Sequence, residues 1–411
     1  MNWDKQTAIN AVREFYESIA LTGWTKPPGS GEKRYWRVAQ CQQGLVYAFV
    51  DHAKLKGVAD AIYAHPFVTA NFAKKTLEER IANTCIVRFV DGGVELNSFI
   101  DDLIASFTRA IRKPINVCMP VYGAVVTERF QIGRYEFIPG DQFDTLKIVG
   151  MPEPMRDSLK KQLWADRPHV CFTVEACDGA KAQELAYPEF QWLENAVRLF
   201  IDEKVCDFGI TTFSFSWAEN SLAISQDGTF ANFNSHSRGC IVAFDLVEKL
   251  NDCMALRLVI ENLGRNQGDL NSFRQGMRQA IYLAGLSKKE SNLAVAYFLC
   301  ISAMERLFVG SGNSYVNPSI AQQIVEAFCL LLATEEHRRA LFDDFQDAYK
   351  KRSAVAHGAT EIVSEDELLG AQHVLRDAVT KLLIDPVLSK ITDLSQVKEM
   401  IKDIKFGKRK G

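Results

Sequence analysis

The chain has 411 residues, 47% of them apolar and 24% charged, which is enough for two or three domains with cores of their own. A net charge of −3 supplies no global basic field, so any grip on nucleic acid must rest on a local site. The ten cysteines (41, 85, 118, 171, 177, 206, 240, 253, 300 and 329) are scattered without a C-x2-C pair, which argues against a zinc site and against a secreted disulfide framework.

Most of these cysteines lie in apolar runs, where a reduced thiol packs as a small hydrophobe. The first residues, MNWDKQTAINAVREF, show no apolar signal core. The longest apolar run, Leu293–Met304, is too short for a bilayer and is interrupted by Ser302. A reduced cytoplasmic setting with no membrane partner is the expectation.

Trp3–Ala20 spaces its apolar residues at helical intervals. Gly23–Arg34 (GWTKPPGSGEKR) is a Pro/Gly-rich loop that does not match the phosphate-binding GxxxxGK[ST] pattern. Tyr35–Val50 alternates and carries aromatics, which predicts strands. Helical patterns fill Lys54–His65 and Leu96–Arg112. Ile115–Gly140 is rich in β-branched and aromatic residues with glycine at the breaks, which predicts two or three strands. Lys181–Asp202 predicts a helix with Leu185, Phe190, Leu193, Val197 and Phe200 on one side. Phe208–Phe233 alternates and predicts a hairpin turning at Asp227–Gly228. Asn234–Gly239 marks a boundary.

Beyond it the chain reads as helices over Ile241–Leu263, Leu270–Ala284, Lys288–Phe308, Ile320–Ala333, Glu335–Ala356, Glu365–Ile384 and Gln396–Ile404. Two capping boxes, Ser287-x-x-Glu290 and Ser364-x-x-Glu367, predict helix starts. The expected fold class is an α+β region over residues 1–235 followed by an all-α helical bundle over 236–411.

The densest chemistry lies in QDAYKKRSAVAHG, with Tyr349, Arg352, Ser353, His357 and Gly358. Arginine holds a permanent charge and a planar fork of donors that fits phosphate oxygens. Histidine moves protons near neutral pH. Together they suit cleavage of a phosphodiester without a metal. Five residues apart on a continuous helix, Arg352 and His357 point about 140° from each other. They serve one spot only if the helix ends between them, if the site is wide, or if a second copy contributes. Gly358 suits a helix stop, which would leave His357 in the last turn, where the helix dipole favours its protonated form. Tyr349, one turn before Arg352, either stacks on a base or packs in the bundle. Asp343, Asp344 and Asp347 read as a solvated acidic face rather than a Mg2+ site, and His337 as a first-turn helix residue.

Upstream, the run AVAYFLCISAMERLF embeds Glu305 in apolar sequence. With the later motif, it resembles an Apea-like HEPN domain over about 287–385. That family pairs a helix bearing an embedded Glu with a later helix ending in Tyr-x-x-Arg-Ser-x-x-x-His-Gly. The segment Ile115–Gly140 is similar to a β segment found ahead of many HEPN domains. Ser353 follows the arginine, where many catalytic members have Asn, Asp or His; Ser is usual in the Apea-like branch.

The resemblance implies an HEPN-like helical bundle that forms a homodimer and a metal-independent endoribonuclease leaving 2′,3′-cyclic phosphate and 5′-hydroxyl ends, in bacterial antiphage defence or a toxin-like stress response. In this reading Arg352 and His357 are catalytic, Glu305, Ser353 and Tyr349 support them, and no metal or cofactor is used. RNA is the substrate, and residues 1–235 sense an unidentified ligand or protein trigger. The alternatives are a non-catalytic dimerisation or binding module, with Arg352 and His357 as a structural clasp, and an RNA-binding regulator.

Overall fold

The computed structural model describes residues 3–21, 36–42, 44–92, 94–145, 167–201, 208–210, 218–224, 230–237, 244–265, 267–308, 320–333, 335–357 and 363–407. The loop predicted at Gly23–Arg34, the turn predicted at Asp227–Gly228 and the glycine at 358 lie outside the described residues. Two compact units are drawn by contact: Met1–Val117 with Thr173–Ala186, and Cys118–Phe172 with Tyr187–Gly411. Residue 235 instead marks where the pattern of the sequence turns almost wholly helical.

In the first unit, α1 (Lys5–Glu17) is capped by Asp4, whose carboxylate accepts from the N–H of Gln6 at 3.0 Å. Ala8, Val12 and Phe15 fall on one face and are fully buried. Strands β1 (Ala20–Leu21), β2 (Trp36–Cys41) and β3 (Gly44–Phe49) form an antiparallel sheet in the order β1-β3-β2, with Val38 opposite Tyr47 and Ala39 opposite Val46. Period-two alternation turns Ala39, Cys41, Val46 and Ala48 toward the core.

The core is completed by α2 (His52–Tyr63) and α5 (Leu96–Thr108), as the sequence predicts, and by two helices it does not, α3 (Pro66–Asn71) and α4 (Lys74–Asp91). In α4 the buried residues Leu77, Ile81, Ala82, Cys85 and Ile86 keep helical spacing, but a charged start, KKTLEER, dilutes the signal.

Ile115–Gly140 holds more strands than expected: β4 (Lys113–Pro120), β5 (Ala124–Val125), β6 (Phe130–Ile132) and β7 (Tyr135–Ile138). A later strand, β8 (His169–Ala176), inserts between β4 and β7 to give the order β4-β8-β7-β6. Tyr135 stands opposite Phe172, and Gly133, at φ 55°, makes the turn between β6 and β7. One cysteine expectation changes here. Cys118 on β4 and Cys171 on β8 form a disulfide, with Cα atoms 4.2 Å apart. Neighbouring strands bring together two thiols that stand 53 residues apart in sequence, which spacing alone conceals.

Helix α6 (Gly179–Phe200) buries Ala182, Ala186, Phe190, Leu193 and Val197 as one stripe. Leu185, expected on that side, lies off the stripe and is 39% exposed. Strands β9 (Ala218–Ile224) and β10 (Phe230–Ser237) pair antiparallel as expected, but β10 continues through Asn234–Ser237, where the sequence places a boundary loop. The two-residue β11 (Phe244–Asp245) pairs in parallel with β5 and leads into α7 (Leu246–Asp252) and α8 (Met254–Leu263).

The helical part then runs through α9 (Ser272–Lys289), α10 (Leu293–Phe308), α11 (Ile320–Ala327), which continues as a π turn over Phe328–Leu332, α12 (Arg338–Ala356), α13 (Glu365–Ile384) and α14 (Leu394–Lys405). Helix α10 packs against α9, α11, α12 and α13. A buried brace ties α6 to α9: Arg278 donates to Glu189 at 2.6 Å and to the Leu263 carbonyl at 2.8 Å, and its guanidinium lies 4.4 Å from the Trp192 ring centre. The charge is thus paired and hydrogen-bonded, as a buried ion must be.

One capping box is present and one is not. Ser364 and Glu367 cap α13 reciprocally. Ser287 lies inside α9, where its hydroxyl donates to the Ala284 carbonyl and accepts from Gln372 at 2.9 Å. The cap of α10 is Asn292, whose side chain accepts from the N–H groups of Ala294 and Val295. No helix among the described residues is long and apolar enough to cross a membrane.

Candidate functional site

Helix α10 turns its broad apolar side inward, burying Ala296, Tyr297, Cys300, Ile301, Ala303, Met304, Leu307 and Phe308. That leaves a narrow stripe at Phe298, Ser302 and Glu305, spaced four and three residues apart and half-buried. Tyr349 and Arg352 are likewise half-buried and share one face of α12 at a spacing of three.

The two stripes meet. Arg352 Nη2 donates to Glu305 Oε2 at 3.0 Å. The Arg352 guanidinium carbon lies 4.8 Å from the Phe298 ring centre and 5.8 Å from that of Tyr349. Burial raises the Tyr349 phenol above its ordinary value; the Glu305 charge adds to the shift and Arg352 opposes it.

Arg352 is 22% exposed and Glu305 19% exposed, because α10 supplies both an aromatic face and a carboxylate to the arginine. Three polar atoms of the cluster, Ser302 Oγ, Glu305 Oε1 and Arg352 Nε, are buried without a hydrogen-bond partner. Arg352 Nη2 is engaged by Glu305, and Nη1 is neither buried nor hydrogen-bonded among the described residues. The accessible part of the guanidinium is therefore its outer end.

His357 is the C-cap of α12, at φ −95° and ψ 11°, and its N–H donates to the carbonyls of Ser353 and Ala354 at 3.1 Å. Its side chain is exposed, and no hydrogen bond or ion pair reaches it among the described residues. Ser353 is half-buried on the last turn. Within one chain, then, Glu305, Tyr349 and Arg352 come together, while His357 stands apart at the helix end. Lys351 ion-pairs with Glu367, fixing the end of α12 to the start of α13.

Asp343, Asp344 and Asp347 are exposed, and Asp347 pairs with Lys350 at 2.9 Å. No group of three His, Cys, Asp or Glu residues among the described residues could hold a metal ion. His337 is exposed at the N-cap of α12.

Sequence reasoning misses Phe298 as a member of this cluster. The available signal is its spacing: seven residues before Glu305 is two helical turns, hence the same stripe. No family model, no curated protein and no solved structure matches the chain.

Proposed function

We propose that the chain is a metal-independent endoribonuclease of the HEPN type. The observation that carries this reading is the pairing of a held, outward-ended Arg352 with an unengaged His357 at the end of the same helix. Arg352 takes the scissile phosphate on its outer end. His357 acts as general acid toward the leaving 5′-oxygen, or as base toward the ribose 2′-hydroxyl. The 2′-oxygen loses its proton and bonds to its own phosphorus, the phosphorus–5′-oxygen bond breaks, and the 5′-oxygen takes up a proton. The products are a 2′,3′-cyclic phosphate and a 5′-hydroxyl, with the nucleophile supplied by the substrate itself.

The working unit is a homodimer, and the region before residue 235 receives the signal that controls cleavage. Bacterial antiphage defence or a toxin-like stress response is the setting the family resemblance supplies.

The test is incubation of the pure protein with mixed single-stranded RNAs in EDTA, beside His357→Ala. Cleavage that survives chelation and disappears in His357→Ala is the expected result. Activity abolished by EDTA and restored by Mg2+ or Mn2+ would end this mechanism.

A second reading draws on the ion pair itself. Arg352 bound to Glu305 and stacked on Phe298 suits a structural clasp in a non-catalytic binding or dimerisation module, or in a regulator that grips RNA without cutting it. The clasp requires His357→Ala to lower thermal stability; an exposed, unengaged histidine predicts no such loss.

A further inference from the structure

We propose that Phe298 is a positioning residue for Arg352, and this rests on the ribonuclease reading above. A guanidinium on a flexible side chain clamps phosphate well only if its plane is fixed. Glu305 fixes one point of that plane, Nη2, at 3.0 Å. One point leaves the plane free to swing about the hydrogen bond. Tyr349 lies farther off, at 5.8 Å, and sits on the arginine's own helix, so it moves with α12.

Phe298 is the second anchor. It comes from α10, as Glu305 does, and its ring centre lies 4.8 Å from the guanidinium carbon. A cation over an aromatic face at this range is attracted to the ring. The ring and the carboxylate together orient the group so that Nε is turned inward, buried and without a partner, while Nη1 is left at the surface. Burying an unpartnered donor opposes this orientation, so something must hold it there. The Phe298 face does so.

The experiment uses the full chain with Phe298→Leu and Phe298→Tyr, and Phe298→Met where Leu does not fold. Cleavage of single-stranded RNA in EDTA gives kcat and KM. A second readout, independent of cleavage, is the Arg352 Nε–H signal in protein carrying 15N-arginine, assigned through Arg352→Lys. Phe298→Leu removes the ring but keeps the charge of Arg352. The expected result is a kcat lower by about three- to thirty-fold, the range of one cation–π contact, with KM changed less. The Nε–H signal should lose its exchange protection in Phe298→Leu, and Phe298→Tyr should restore both.

An unchanged kcat together with an unchanged signal in Phe298→Leu overturns the proposal. So does a fall in melting temperature that accounts for the activity loss and that Phe298→Tyr does not repair. If the wild-type protein cuts no RNA, the ribonuclease reading fails by itself. The Nε–H signal then decides whether Phe298 orients Arg352: its loss in Phe298→Leu supports the positioning role, and its persistence overturns it.

Discussion

An arginine offers phosphate three guanidinium nitrogens, and in this chain one is buried and another is engaged. Nε of Arg352 is buried and Nη2 serves Glu305, which leaves the outer end for a ligand. Lysine at 352 would keep the charge but lose the planar fork. Arg352→Lys should therefore restore little of the RNA cleavage lost in Arg352→Ala, while Ser353→Ala should be mild. Arg352→Ala also leaves the Glu305 carboxylate inside without its donor, which should cost about 1–3 kcal/mol in urea unfolding. His357→Ala should cost almost nothing there, because its side chain is exposed. Equal destabilisation by the two substitutions would contradict this placement. A different histidine contributes to acid stability. His169 on β8 is fully buried, and burial pushes its pKa from 6.5 down to about 4. Above pH 6.5 it is neutral in both folded and unfolded chains and contributes nothing. Between 6.5 and about 4 only the unfolded chain gains the proton, so stability falls with pH across that window, by up to about 3 kcal/mol. Unfolding free energies at pH 7 and pH 4.5 should differ less in His169→Leu than in wild type; an identical difference would remove His169 from the account. At this scale Glu305, Tyr349 and Arg352 stood out in the sequence because they carry the resemblance to a family motif, not because of their spacing alone. Phe298 was hidden, since one more aromatic in an apolar run looks like core.

Elements form where their periodicity is undiluted. Helix α13 begins and ends where the sequence places it, because Ser364 and Glu367 state its start and a long apolar repeat follows. The same four-residue pattern at Ser287 misleads: the hydroxyl has a closer acceptor in the Ala284 carbonyl and a partner in Gln372, and α9 runs through it. Strand β8 and helix α4 went unread for opposite reasons. β8 is a near-continuous buried run, HVCF, without alternation, and α4 carries too many charges on its first turns. The α6–α9 crossing is a third kind of feature, set by what is absent. Gly285 on α9 lies so close to Asn195 on α6 that a Cβ would collide with its backbone. Trp192 reinforces the crossing by donating to the Arg278 carbonyl at 3.2 Å. Gly285→Ala must push the helices apart, at a cost of about 1–3 kcal/mol despite alanine's better helix propensity. The melting temperature should fall by about 2–4 °C for each kcal/mol. A melting temperature unchanged or raised by Gly285→Ala would mean that the helices do not cross this closely.

At the scale of the whole molecule, the question is what covers α12 and completes the site. This helix has nineteen residues, yet only Phe345 is fully buried. Leu341, Phe342, Tyr349 and Val355 remain half-buried, a thin apolar return for a helix whose stability depends on packing. The two side chains proposed to act also diverge: Arg352 turns toward α10, whereas His357 stands unengaged at the end. The proposed homodimer would meet both needs. Around a two-fold axis the same patch is used on each chain, so two α12 helices approach each other and each half-buried apolar side gains a partner. One groove would then hold two outer guanidinium ends and two histidines, and the arginine of one chain could serve the same phosphate as the histidine of the other. Sedimentation at micromolar concentration should find a dimer. Arg352→Ala and His357→Ala chains, each inactive alone, should regain part of the wild-type RNA cleavage when unfolded and refolded together, since a mixed dimer retains one intact Arg352 and one intact His357. Refolding each variant alone controls for recovery unrelated to mixing. A monomer that cuts RNA at full rate would refute the shared site, and so would a dimer in which the two His357 side chains lie on opposite outer surfaces.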